Sequence, residues 1–409
     1  MTEIAAYNEA LKSGQYQKPE GLLGKYDNVR RFWEDEVLGL YLRPYLKQLV
    51  ARKKESGGGI RVLDLGCGSG DGLEFITSIS NSGSLVSEHN TKVIEPNMLE
   101  SYKGIDINAG MLEQAQSIYG GRPNVTFVQS SFNDHDFFNE EPCELYLANY
   151  GTLSHNTDQQ TVELLSNIAR HSKDGAIIML DWLGRFAYEW QTLWTMDFEH
   201  NQWMDYAISY IYSDDGGEKQ QELAHFPLRI MGRKEALQVY RQVRRDVGEI
   251  ITLRKLADRS SLVGRHMDTA QYNAHCQPLR HLANSLFEPN QCTNLDEALV
   301  HYVPGDGFAE VNAYYHRLAV CWNHLVTYTR ALFGESKPPE ALPETPLPLR
   351  RSLGAMKNIA RTASGMKIGT PRTSLVEPQL AYCLRELEMA LQKGLGCGHG
   401  LVAIFEVVK

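Results

Sequence analysis

Residues 61–72 read Arg-Val-Leu-Asp-Leu-Gly-Cys-Gly-Ser-Gly-Asp-Gly. The apolar run of Val62, Leu63 and Leu65 predicts a strand, and it ends in a turn with Gly66, Gly68, Gly70 and Gly72 at alternate positions. Glycine in such a turn accepts positive φ and lets backbone approach a ligand more closely than a Cβ permits. A strand that feeds a glycine turn and then a helix is how open α/β sheets bind nucleotide-like groups, at the N-terminus of that helix. The spacing separates the candidates. A dinucleotide fingerprint needs Gly-x-Gly-x-x-Gly/Ala, but three residues after Gly68 stands Asp71. The pattern is instead Asp64-x-Gly66-x-Gly68-x-Gly70, with a carboxylate two residues before the first glycine.

Tyr102 to Ile107 reads as a second strand, followed by a helix over 109–119 with Met111, Leu112, Ala115 and Ile118 at helical spacing. Asp106, at the tip of that strand, is placed to accept hydrogen bonds from both hydroxyls of a ribose, a position that nicotinamide-binding folds also fill with an acid. The stretch 80–101 before it is polar, helix-poor and longer than a βαβ unit needs, so it reads as a surface insertion. The glycine turn and its leading acid resemble motif I of the class I S-adenosylmethionine-dependent methyltransferases, and the resemblance covers roughly residues 25–257 and 400–409. It implies S-adenosyl-L-methionine as cofactor, held by Asp64, Gly66, Cys67, Gly68, Gly70, Asp106, Ile107 and Met111. Cys67 reads as a small filler of the turn rather than a nucleophile.

Further strands follow at 125–129, 143–149, 176–181 and 249–256, with helices over 158–171 and 233–245. Alternating strands and helices predict a doubly wound, mostly parallel seven-stranded α/β sheet, and the resemblance makes the last strand antiparallel. That strand is Leu401 to Val408, after Gly394, Gly396, Gly398 and Gly400. Residues 258–399 are then a largely helical insertion between the sixth and seventh strands. Ligands sit at the C-terminal ends of parallel strands, so the insertion leaves from and returns to the rim of the cofactor site. Two units are expected: a core of 1–257 with 400–409, whose segment 182–231 is part of a lid, and a cap of 258–399 over the substrate. Within the cap, 337–348 is a Pro-rich extended connector and 350–372 a basic, mobile stretch.

The resemblance also assigns the rim. Ser131 and Phe132 follow the third strand, where the family contacts adenine, the usual acid being replaced by Ser131 or delayed to Asp134. Asn149 and Tyr150 follow the fourth and border the methyl group. An N-terminal helix from Gly24 brings Tyr26 and Arg31 toward the methionine moiety. An O–H, N–H or acidic C–H acceptor must lose a proton, so one general base is expected. His155 is the first candidate, because histidine titrates near neutrality. The second is the group Arg265, His266 and Asp268, in which Arg265 would clamp a substrate carboxylate and His266 act as base. Trp190, Trp194, Tyr206 and Tyr210 come from an aromatic-rich segment and, with Tyr272, are expected to line an acceptor pocket. Each of them is equally well explained as core packing.

Net charge of −9 argues against a nucleic-acid partner, and the Asp/Asn-Pro-Pro-Tyr of nucleic-acid and glutamine methyltransferases is replaced by Asn149-Tyr150-Gly151-Thr152. A small or medium organic acceptor follows, of the specialised-metabolite kind. No apolar run approaches a membrane span, the N-terminus lacks a secretion signal, and seven scattered cysteines suggest reduced thiols in a cytoplasmic protein. No metal site is expected, since Asn149 and Asp181 alone make a poor magnesium site. A homodimer is an open alternative to a monomer. Two other readings stay open: a nicotinamide-dependent oxidoreductase, and a repurposed methyltransferase fold that does not methylate.

Overall fold

The computed structural model describes residues 3–12, 26–81, 92–134, 136–207, 225–264, 272–367 and 369–409. In chain order the first elements are helix α1 (Glu3–Lys12), helix α2 (Asp35–Ser56), strand β1 (Ile60–Leu65), α3 (Asp71–Ser78), β2 (Leu99–Asp106), α4 (Ala109–Tyr119) and β3 (Val125–Gln129). There follow β4 (Leu145–Ala148), α5 (Asp158–His171), β5 (Ile177–Gly184), β6 (Trp203–Ala207), β7 (His225–Met231), α6 (Arg233–Val247) and β8 (Ile251–Arg259). The remainder is α7 (Arg280–Ser285), α8 (Ala309–Leu332), α9 (Leu347–Ser364), α10 (Glu377–Leu391) and β9 (Gly400–Val407).

β3, β2, β1, β4 and β5 lie side by side and parallel. β9 runs antiparallel along β5, and β8 antiparallel along β9, which completes the seven-stranded, doubly wound order β3-β2-β1-β4-β5-β9-β8. The expected antiparallel last strand is therefore wedged between β5 and β8. A β6–β7 antiparallel pair is added where Leu183 and Gly184 of β5 meet Ile230 and Met231 of β7.

The central strands β4, β5 and β9 are buried on both faces, so successive side chains feed two different layers. Ile177 and Met179 join the layer of α2 and α3, whereas Ile178 and Leu180 join that of α5 and α6. Local chemistry sets the helix starts. The Asn108 carboxamide oxygen accepts from Met111 N–H to begin α4, and Thr157 and Gln160 form a reciprocal capping box at α5. A π-type turn at Arg30–Glu34 leads into α2 and turns Arg30, Trp33 and Glu34 inward.

Three expectations change. Residues 99–101 belong to β2, and Val93, Ile94 and Met98 are core residues, so only part of 80–101 is surface insertion. The stretch 350–372 is mostly the ordered helix α9, with Leu349, Ser352 and Met356 buried on one face and its basic side chains on the other. Among the described residues of 258–399, His399 lines the cavity and the helices pack into the core that the sheet also joins. Trp322 of α8 packs on Trp33 with ring centroids 6.1 Å apart, and the Trp33 indole N–H donates to Glu388 of α10 at 2.9 Å. One apolar cluster runs from Val62 and Ile177 of the sheet through Trp33 to Leu318, Trp322 and Leu384.

Because sheet and insertion share that core, thermal unfolding should be one calorimetric transition. Trp322→Ala should lower stability by about 3–5 kcal/mol and shift the whole transition. Two resolved transitions, with only one moved by the substitution, would contradict a shared core.

Candidate active site

The glycine turn is as tight as its sequence demands. Gly66 has φ +65°, and a Cβ there would stand 2.6 Å from Thr152 Cγ2. Gly68 has φ +52°, and a Cβ there would meet nothing within 4 Å, because that position opens on a cavity. The Asp106 carboxylate ties this turn to β2. One oxygen accepts from Gly68 N–H and the other from Asn108 N–H, each at 2.8 Å. Asp106 itself stands in the cavity wall.

The cavity, about 300 Å³, lies at the C-terminal ends of β1, β2, β4 and β5. Toward β1–β3 it is walled by Asp64, Gly66, Cys67, Gly68, Asp106, Ile107, Met111, Ser131 and Phe132. Toward β4 and β5 come Asn149, Tyr150, Thr152, His155, Leu183 and His399, with Ile4 and Tyr7 of α1, Tyr206 of β6 and Leu228 of β7. Both polar atoms of the Asn149 carboxamide are buried without a hydrogen-bond partner among the described residues. A buried amide left so costs about 1–3 kcal/mol per group, and a ligand in the cavity would relieve it. This amide, the open position beside Gly68 and the Asp106 carboxylate in the wall fit a nucleoside carrying a charged amino-acid tail. No group of three His, Cys, Asp or Glu among the described residues could hold a metal ion.

Several predicted residues stand elsewhere. Gly70 caps α3 and lies against Tyr119 and Phe127, where a Cβ would come within 3.0 Å of the Phe127 ring. It serves packing. Tyr26 sits one layer behind the cavity, bonded to Ser69 at 3.1 Å and donating to Asp71, which does line it. Arg31 is exposed, and it is the neighbouring Arg30 that enters the interior. Asp134 accepts from Ser131 N–H and the Ser130 hydroxyl, each at 3.0 Å, and so closes its own turn.

Of the five aromatic substrate candidates, Tyr206 lines the cavity. Trp190 and Trp194 are core residues whose indole N–H groups donate to Gly184 and Ala187 carbonyls, both at 2.9 Å. The Tyr272 hydroxyl donates to Asp205 O at 3.3 Å, and its ring is buried. Tyr210, Arg265, His266 and Asp268 lie outside the described residues. Sequence reasoning missed Tyr7, Asn108, Asn156 and His399. Only Asn108, at the N-cap position of α4, carries a local signal.

His155 packs in a three-ring cluster, with centroids 6.3 Å from Tyr7 and 6.2 Å from Phe226, which are 5.8 Å from each other. Beneath it, Tyr150 has φ +61°, its N–H donates to Asp181 at 3.1 Å, and the Arg30 guanidinium lies 3.3 Å from its ring centre. Burial, reinforced by Asp64 and Asp106, pushes the Cys67 thiol well above its ordinary range.

Two outcomes follow. Gly66→Ala should weaken nucleoside binding at least tenfold, because the left-handed conformation costs a non-glycine residue about 1–2 kcal/mol before the clash with Thr152. Titration calorimetry would read it. Cys67 should resist iodoacetamide at pH 7.5 while the exposed Cys292 is alkylated, as peptide mass mapping would show; early loss of Cys67 would mean a thiolate in the turn.

A family model described as a methyltransferase domain matches residues 82–175. No curated protein matches the chain. Among solved structures, the CcbJ methyltransferase of Streptomyces caelestis is 13% identical over 66% of this chain and 96% of its own, with a TM-score of 0.38. An S-adenosylmethionine-dependent methyltransferase of Clostridium acetobutylicum is 12% identical over 53% and 83%, with a TM-score of 0.33. DesVI of Streptomyces venezuelae is 12% identical over 55% and 92%, with a TM-score of 0.30. The matched residues hold β2, α4, β3, β4 and α5, the part of the sheet that carries Asp106 and the turn after β4.

Proposed function

We propose that the protein methylates a small or medium-sized organic acceptor by in-line displacement, with a histidine taking the acceptor's proton. The observation that carries this reading is the composition of the cavity at the strand ends. Its β1–β3 side offers Asp106 and the glycine turn, while its β4–β5 side combines the Asn149 amide and two histidines with apolar and aromatic side chains. Small-molecule sites have that make-up, an apolar wall with a few placed polar groups. Bound S-adenosylmethionine supplies an activated methyl group on a sulfonium. Asp106 would hold the ribose hydroxyls, Ser131 and Phe132 would border the adenine, and the Asn149 amide would meet the amino-acid portion.

The protein's remaining task is to align the acceptor and exclude water. Ile4, Tyr7, Tyr206 and Leu228 supply the apolar side of that enclosure. They come from α1 and the β6–β7 pair rather than from the large insertion. The net negative charge and the absence of prolines after β4 favour an organic acceptor over a nucleic acid.

Calorimetric titration tests the cofactor reading directly. S-Adenosylmethionine and S-adenosylhomocysteine should bind at micromolar concentrations, and NADH and NADPH should not. Asp106→Ala should weaken binding about 30-fold or more, the loss of charge-assisted hydrogen bonds worth about 2 kcal/mol. Binding of the nicotinamide nucleotides alone would overturn the proposal.

A further inference from the structure

We infer that the outer face of helix α9 is a docking surface for another protein, and that its occupant is an acidic helix laid antiparallel along it. No residue of α9 lines the cavity, so the inference stands apart from the methyltransferase reading.

From Thr345 to Val376 the sequence holds six basic residues and no acidic one, in a chain whose net charge is −9. Arg372 is paired with Glu335 and Glu377. The others are not matched in this way. Arg350, Arg351, Lys357 and Arg361 of α9 and Lys367 just beyond it are exposed, and none forms an ion pair among the described residues. At 3.6 residues per turn, Arg350, Lys357 and Arg361 fall within about 40° of one another, spaced about 10 Å and 6 Å along the axis. Lys357 and Arg361 stand at i and i+4, where like charges repel and weaken a helix. An acidic partner would reverse the sign of that interaction.

The N-terminal end of the face is the most strongly positive. Arg317 of α8, Arg350 of α9 and Lys393 after α10 line one cleft, a cation from each of three places in the fold. Arg350 donates to Thr345 O at 3.3 Å. Glu344 lies in the same rim but pairs with none of the three cations. A helix N-terminus adds its own partial positive charge. The C-terminal end of a partner helix, which is negative, fits there, and this sets the antiparallel direction.

Gly354 lies midway along the same face. It is exposed, its φ is not positive, and a Cβ there would meet nothing within 4 Å. Neither backbone conformation nor internal packing calls for glycine, which weakens a helix interior. The notch does admit close approach by another backbone, as two helices packing 8–10 Å apart require. The apolar side of α9 is already buried through Leu349, Met356 and Ala363, which leaves no apolar face to enter a lipid surface. One small anion would reach only part of a row this long. A helix with carboxylates at j, j+4 and j+11 meets Arg361, Lys357 and Arg350 in turn.

Fluorescence anisotropy on the full chain tests the surface, with a labelled alanine-rich helical peptide carrying glutamates at j, j+4 and j+11 as the probe. The matched peptide should bind at low salt and weaken about tenfold as ionic strength rises to about 0.2 M. A peptide of the same composition with the glutamates off that register should bind at least fivefold more weakly. The double variant Lys357→Glu/Arg361→Glu should lose at least tenfold in affinity, whereas Arg241→Glu, at an exposed cation of α6, should stay within twofold. Gly354→Leu should also bind at least fivefold more weakly while its melting temperature does not fall. Carbodiimide coupling of the complex should join peptide carboxylates to Lys357 and, at the peptide's C-terminus, to Lys393. Equal binding of the two peptides would overturn the inference, since it would show only diffuse charge. Tighter binding to phosphatidylserine vesicles or to single-stranded RNA, lost in the same double variant, would overturn it too and assign the face to a membrane or a nucleic acid. Unchanged S-adenosylmethionine affinity in every variant separates a lost docking face from a lost fold.

Discussion

Arg259 is a buried cation at the end of β8, and the site takes its shape from the partners that it must have. Its guanidinium bonds Asp181 of β5 at 2.8 Å and Glu34 of the N-terminal helix at 3.3 Å. Glu34 lies 3.5 Å from Arg280 of α7, and Arg280 holds Asp27 through two hydrogen bonds of 2.7 Å. Asp181 also accepts from Tyr150 N–H, and Tyr150 lies beneath Arg30, which pairs with Asp35 at 2.8 Å. Leaving one partner of a buried pair unmatched costs about 3–5 kcal/mol. The sheet, the N-terminal helix, the turn after β4 and the insertion are therefore fixed against one another by charges that cannot be left alone. Tyr150 keeps a positive φ because this cluster determines where its backbone N–H and its ring must go.

The β1–β3 side of the cavity was legible because its signals are local. Positive φ at Gly66 and Gly68 is written in the glycine spacing, and Asp106 stands at the end of an apolar run that had to be a strand. Helices α4 and α5 carry their caps in Asn108 and in Thr157 with Gln160. The opposite side was not legible, because it is assembled from distant pieces. Tyr7, Tyr206, Leu228 and His399 share no periodicity and reach one wall through α1, the β6–β7 pair and the last turn before β9. Trp190 and Trp194 show the opposite failure. Aromatic density pointed to a pocket, but their indole N–H groups found main-chain carbonyls at the end of β5 and just beyond it, and buried rings satisfied in that way belong to a core. Arg30 and Arg31 illustrate how little separates the two outcomes: the π-type turn sends one inward and leaves its neighbour in solvent.

The insertion acts on the cavity through its two ends rather than through its bulk. Of its described residues only His399 reaches the wall, while α8 and α10 pack against Trp33 and against the loop that follows β5. The topology explains this division. β8 delivers the chain to the rim at Arg259 and Ser260, and β9 must start from the same rim, so both strands of the return pass beside the end of β5. There Asp258 accepts hydrogen bonds from the N–H groups of Leu395, Gly396 and Cys397, which clamps the returning chain to the departing one. Gly184, Gly396 and Gly398 allow the close approach, since a Cβ at any of them would stand within 2.7 Å of a backbone carbonyl oxygen. A set of helices that shares its apolar core with the sheet thus presses one short glycine strap into it. The rigidity of that strap passes to the single side chain it presents to the cavity.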